Sequence, residues 1–287
     1  MVYTTERSAP GTRGLLSSST AAGVTIGFIL GSVSAWLVNT LLGSTEAAVW
    51  GWRIPFVASV LFCVFGWFLR RGLSETAEGL KAASKRPALI PSLFADRLPI
   101  LQTFGIVAMT NAAYYLTFTF VVQRRSSAPL GGSVFLLVNT LSLVVLLIAK
   151  PLGGWLSDRV GRRRLMIILT VVTMILVRPA LRLMLDGTPT EFVLGQVLLA
   201  VPIGAALGLQ GAMLVEIFPL RSRITSMSLA YSIALALTGG TAPLLSAWLI
   251  HALDSPLGAA DYVFVYGLIG LWVMWPMQET NTRRLGE

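Results

Sequence analysis

The chain has 287 residues, 55% of them hydrophobic and only 12% charged, with a mean hydropathy of +0.75. A soluble domain carries about 25% charged residues, so one aqueous core cannot absorb this apolar surface and lipid must be part of the solvent. The net charge of +9 does not mark a nucleic-acid binder, because the basic residues sit in short connections between apolar runs. The single cysteine, Cys63, excludes an internal disulfide and reads as a packing residue; the single histidine, His251, excludes a histidine-rich metal site.

The opening residues (VYTTERSAPGTRG) are polar and do not read as a cleavable signal. After them come eight apolar segments long enough, or nearly so, to cross about 30 Å of hydrocarbon. They cover residues 15–37, 54–69, 98–121, 131–149, 165–184, 192–214, 224–253 and 262–277. The second and last are short and call on Trp50, Trp52, Tyr262 and Trp275 as interfacial anchors. Eight spans put both termini on one side. Seventeen of the 22 basic residues fall on that side, so both termini are expected in the cytoplasm. The longest polar connection predicts a linker, residues 72–97, with a short surface helix. It divides the chain into a two-helix unit, residues 1–71, and a six-helix unit, residues 98–287.

In the third span Asn111 and Tyr115 are four apart and share a helix face, with Tyr114 beside them. Asn139 in the fourth span, Gln210 in the sixth and Tyr231 in the seventh add polar groups at lipid depth. Such groups face the bundle or an aqueous cavity, where they line a small-molecule pocket or bond helix to helix. Between the fourth and fifth spans lies KPLGGWLSDRVGRRR, residues 150–164, a glycine-containing basic connection suited to the cytoplasmic face. Its Asp158 sits where helices meet and needs donors. Arg162 is one candidate; the amino-terminal N–H groups of the helix beginning near Ile224 are another. Glu216, Arg221 and Arg223 complete a charge cluster that is either a gate or a static tie. Arg178 and Arg182, spaced four apart in the fifth span, fit attraction of an anionic solute or snorkelling to headgroups. Pro179 and Pro202 are positioned to bend their helices. Gly23–Gly27 and Gly204–Gly208 fit close helix packing.

Two stretches repeat with an offset of about 210 residues. Glu6, Pro10 and Arg13 precede a small-residue helix ending Ala35-Trp36-Leu37-Val38; Glu216, Pro219 and Arg223 precede one ending Ala247-Trp248-Leu249-Ile250. The next apolar segments run out to Glu75-Thr76 and Glu279-Thr280. Parallel repeats of this size point to a two-halved transporter with its site between the halves. The second half has six spans and the first only two, so the chain reads as lacking four helices.

These residues resemble the major facilitator superfamily, in particular the metabolite–proton symporter branch that includes proline/betaine, α-ketoglutarate, shikimate and citrate carriers. Gly153, Gly154, Asp158, Arg159, Gly161 and Arg162 stand in what looks like the second copy of its loop signature. The segment from Glu216 through Pro219, residues 226–231 and Gly239-Gly240-Thr241-Ala242-Pro243 resemble the region of its tenth and eleventh helices. Gly51-Trp52-Arg53-Ile54-Pro55-Phe56 resembles the start of its sixth. The resemblance implies an all-α polytopic membrane protein with a partial major-facilitator fold, in a bacterial inner membrane. It implies symport of a small organic metabolite or osmolyte with a proton, or with sodium, by alternating access, and a monomer. In the family the loop aspartate latches neighbouring helices, which would be Asp158 here. No phosphate loop, metal-ligand cluster or nucleophile–histidine pair suggests an enzyme or a cofactor. The alternative is a truncated, non-transporting membrane fragment or scaffold.

Overall fold

The computed structural model describes residues 1–9, 11–71, 89–126 and 132–281, and all regular structure among them is helical. Helix α1 (Val2–Glu6) leads into α2 (Arg13–Glu46), which is interrupted at Gly43, then a π turn (Ala47–Gly51) and α3 (Arg53–Arg71). After the undescribed segment come α4 (Leu89–Ala95), α5 (Arg97–Tyr115), a second π turn (Leu116–Phe120) and α6 (Val121–Ser126). The remainder is α7 (Gly132–Val160), α8 (Arg162–Asp186), α9 (Pro189–Ile217), α10 (Arg223–Leu235), a third π turn (Ala236–Gly240), α11 (Ala242–Ala252) and α12 (Gly258–Met274).

Six of these helical stretches are long and apolar enough to span a bilayer: Arg13–Gly43, Ala47–Leu69, Arg97–Arg125, Val134–Val160, Arg162–Asp186 and Pro189–Ile217. A seventh forms if Arg223–Gly240 and Ala242–Ala252, bent by 41°, count as one span. The expected eighth is the 17-residue α12, which at 1.5 Å per residue is about 26 Å long. The linker residues 72–88 lie outside the described residues; its end is the short helix α4 and the buried Asp96, which accepts from Ser226 Oγ at 2.7 Å.

The sequence sets the helix boundaries by familiar means. Thr188 and Glu191 form a reciprocal capping box at the start of α9, with Pro189 in its first turn. Gly161 breaks α7 from α8 at φ +107, a conformation a side chain strains to adopt. Pro179 and Pro202 lie inside continuous helices, as a membrane bundle tolerates.

Helix α9 is the axis of the bundle, packed on α7, α8 and α2, while α2 also lies along α7. One apolar cluster (Leu146, Leu181, Met184, Phe192, Leu199) fills the Gly187 end of the bundle. Another (Ile106, Met166, Met213, Phe218, Met274) fills the Gly161 end. Small residues permit the closest approaches. A Cβ on Gly208 would stand 2.0 Å from the Lys150 carbonyl, and one on Gly153 would stand 2.2 Å from that of Ala205. Gly204 is also confined, its nearest neighbours 2.8 Å from such an atom, but Gly23 and Gly27 have nothing within 4 Å, which corrects the packing role read for them. Cys63 is likewise exposed, on an α3 whose Val57, Leu61 and Phe65 face outward. Tyr262 is buried and donates to the Thr238 carbonyl rather than anchoring in an interface, whereas Trp50, Trp52 and Trp275 are exposed.

Filling the α7–α9 contact is expected to cost about 1–3 kcal/mol. Gly208→Ala should lower the thermal midpoint of the detergent-purified chain. Gly23→Ala, on an open face, should leave it unchanged or raise it slightly.

Candidate functional site

Arg162 is the first residue of α8 and its side chain is 1% exposed. Its guanidinium makes a two-pronged contact with Glu216, Nε to Oε2 at 3.2 Å and Nη2 to Oε1 at 3.1 Å. Nη1 donates to Asp158 Oδ1 and to Ser157 Oγ, both at 2.8 Å. A planar fork matched to carboxylates is what guanidinium supplies and ammonium does not. Thr280 Oγ1 adds a 2.8 Å bond to Glu216.

Asp158 also receives the Gly14 N–H at 2.9 Å and the Leu15 N–H at 3.0 Å. Its carboxylate therefore caps the amino end of α2, where unsatisfied N–H groups and the helix dipole favour an anion. The same device recurs nearby. Glu279 Oε1 accepts from the backbone N–H groups of Arg162 and Arg163, capping α8. Arg163 then donates to the carbonyls of Met274 and Trp275 at the end of α12. Glu6 and Arg223 form a second buried pair at 2.9 Å, tying α1 to α10. Glu216 also feels the charge of Arg13. Of the two repeat glutamates, Glu6 pairs with the arginine of the other copy, Arg223, and Glu216 pairs with Arg162.

About two helical turns from this cluster lies a cavity of about 250 Å³. Asn111, Tyr115, Gln210 and Tyr231 all line it, together with Tyr114, Phe28 and Lys150. Thr110 donates to Gln210 Oε1 at 2.7 Å, which orients the amide so that its N–H₂ group remains available. Asn111 donates to the Val107 carbonyl at 3.0 Å, leaving its oxygen as an acceptor. Phe28, Tyr114, Tyr115 and Phe118 form a chain of ring contacts with centroids 5.2–5.9 Å apart. Tyr115 also packs on Gly239 of the third π turn. Asn139 faces a smaller adjoining cavity of about 130 Å³ that shares Phe28, Tyr114 and Tyr115, and it accepts from Gln196 Nε2 at 3.0 Å.

Several expected members are elsewhere. Asp158 caps α2 at Gly14 and Leu15, not the helix beginning near Ile224. Arg221 is exposed and joins no ion pair among the described residues, so it is not part of the cluster. Arg159 stacks over Trp155 at 4.0 Å on the surface. Arg178 pairs with Asp261 at 2.6 Å and lies over Phe264, while Arg182 lines a separate depression with Asp186 and Glu191. Neither arginine reaches the central cavity. Sequence reasoning placed Lys150 in the basic connection after the fourth span and so missed its burial, and it missed the roles of Glu6 and Glu279, which the repeat had already marked.

Removing Arg162 alone leaves Asp158 and Glu216 buried without their cation, a loss of about 3–5 kcal/mol. Arg162→Met should therefore sharply reduce the folded, monodisperse fraction after detergent extraction. Adding Glu216→Gln in the same chain should recover part of it. Equal folded fractions for Arg162→Met and wild type would contradict the pairing.

A family model described as the Major Facilitator Superfamily matches residues 129–286. The chain is 29% identical over 301 residues to the glycine betaine/proline/ectoine/pipecolic acid transporter of Dickeya dadantii (strain 3937), covering 99% of this chain and 59% of that protein. It is 28% identical over 301 residues to the proline/betaine transporter of Escherichia coli (strain K12), with the same coverage. It is 33% identical over 257 residues to the citrate-proton symporter of Klebsiella pneumoniae, covering 87% of this chain and 57% of that protein. The chain thus spans about three fifths of the length of these curated relatives, which are transporters rather than enzymes. With its helical bundle, its loop glycines and the buried Asp158–Arg162–Glu216 cluster, the chain belongs to the Major Facilitator Superfamily.

Proposed function

We propose that the chain carries out secondary transport of a small organic metabolite, an organic acid or a proline- or betaine-like osmolyte, coupled to a proton. The observation that carries this reading is the stacking of cavity and charge cluster along the same three helices. On α2, Thr20 lines the cavity and Gly14 meets Asp158; on α7, Lys150 lines it and Asp158 follows; on α9, Gln210 lines it and Glu216 follows. Six to eight residues separate each pair, about 9–12 Å along a helix. A solute site with an ionic closure two turns away is the arrangement that alternating access requires.

In this reading residues 1–71 belong to one moving half, residues 98–287 to the other, and residues 72–97 join them. Helix α12 is the eighth span. The basic connections face the cytoplasm of a bacterium, the bilayer is its inner membrane and both termini are cytoplasmic. Asp158, Arg162 and Glu216 form the cytoplasmic gate. Asn111, Tyr115, Gln210 and Tyr231 form the solute pocket, with Asn139 at its edge. The betaine and proline transporters and the citrate-proton symporter among its relatives support the solute class and, for the citrate carrier, the proton.

Uptake of labelled glycine betaine, proline and citrate by cells expressing this chain tests the reading. Accumulation should collapse with a protonophore; survival of uptake with dependence on sodium would replace the proton by sodium. Asp158→Ala, at matched membrane abundance, should slow uptake by about tenfold or more, and an unchanged rate would sink the gate. No uptake of any solute at normal abundance would favour a non-transporting membrane fragment.

A further inference from the structure

Lys150 is a buried cation that the cluster does not use. Its residue is 4% exposed, it lines the 250 Å³ cavity, and its ammonium donates to the Ala21 carbonyl at 2.8 Å and to Thr25 Oγ1. Both acceptors are neutral and both belong to α2. Every ion pair among the described residues lies elsewhere, and no described residue lining this cavity is acidic. A buried charge without a counter-charge is expensive, the more so in a membrane bundle, and two hydrogen bonds to neutral oxygens compensate it only in part. The surroundings supply more donors for an anion. Gln210 has its N–H₂ group free, and the Tyr115 and Tyr231 hydroxyls border the same space. The opposite wall is aromatic, from Phe28, Tyr114 and Tyr115, a surface suited to an aliphatic or cationic body.

We infer that Lys150 is the counter-charge for a single carboxylate of the transported solute, and that the solute competes with α2 for this ammonium. This rests on the transport reading and sharpens it. Lys150 is the one side-chain cation among the described residues lining the cavity, which favours a monocarboxylate or a zwitterion over a di- or tricarboxylate, although the amino group of Met1 borders the same space. When the carboxylate arrives, Nζ exchanges Thr25 and Ala21 for an anion, and α7 loses a tie to α2. That tie lies eight residues from Asp158, which holds the same two helices together, as does the Ser32–Thr140 hydroxyl pair at 2.7 Å. Solute binding therefore loosens the interface that the gate closes.

The test measures dissociation constants of glycine betaine, L-proline, citrate, choline and pyrrolidine for the purified full chain. Choline and pyrrolidine are the first two probes without a carboxylate. The wild type should bind glycine betaine or L-proline, and bind citrate, choline and pyrrolidine at least about tenfold more weakly. Lys150→Met should weaken the bound carboxylate probe by about tenfold or more, and Lys150→Arg should retain part of the affinity. Thr25→Val removes one of the two competing acceptors and should tighten binding a few-fold, the opposite sign to Lys150→Met. A merely structural role would move both variants the same way. Thermal midpoints without solute control for folding. Unchanged affinity in Lys150→Met, equal binding of choline and glycine betaine, tighter binding of citrate, or weaker binding in Thr25→Val each overturn the assignment while leaving transport standing. Failure of every probe to bind overturns the assignment as well, and if uptake is also absent the transport reading falls with it.

Discussion

A guanidinium buried at the start of α8 sets the terms for everything around it. Arg162 cannot remain in this bundle without anions, so α7 must bring Asp158 and α9 must bring Glu216 within about 3 Å of it. Those carboxylates then have spare lone pairs, and each recruits another segment. Asp158 takes the amino end of α2; Glu216 takes Thr280 beyond α12. Backbone must come close for this to happen, which is why Gly14 and Gly154 face each other with no room for a side chain on either. Composition, glycine placement and ion pairing are three views of one constraint.

Above that layer the bundle changes character. The π turns at Leu116–Phe120 and Ala236–Gly240 sit where α5 and α10 border the cavity, and Tyr115 packs directly on Gly239. Such turns offset the helix and release backbone groups from their regular pairing, here giving Tyr262 its acceptor at Thr238. Polar side chains in this layer bond back to their own helices, as Thr110 and Asn111 do, and leave one group each for the cavity or a neighbour. The aromatic and amide lining is thus held rigid by bonds that do not involve a solute.

Much of this was legible in the sequence because membrane solvation is a coarse, strong signal. Apolar runs, basic connections and glycine placement located the bundle and the Asp158 loop. Asn111, Tyr115, Gln210 and Tyr231 could be singled out because polar groups at lipid depth demand a wet or polar face. Orientation between helices was not legible. Asp158 had two helix starts available, each preceded by a copy of the same Glu–Arg repeat, and only packing decides that Gly14 and Leu15 receive it. Lys150 looked like the first residue of a loop, yet α7 runs on through Pro151 to Val160 and buries it. Arg178 met Asp261 because α12 packs on α8, which no local pattern states. The small-residue spacing at Gly23 and Gly27 is the same whether the face meets a helix or lipid.

The cap on α2 has a consequence for biogenesis. The carboxylate that satisfies Gly14 lies 144 residues further along the chain. At ribosomal rates of about 5–20 residues per second, the amino end of α2 exists for roughly 7–30 seconds before its partner is made. Throughout that interval Ser17 and Ser18, buried in the finished bundle, have no α7 to pack against. The amino end of α2 therefore goes without its cap until α7 has been made, and the amino end of α8 waits in the same way for Glu279.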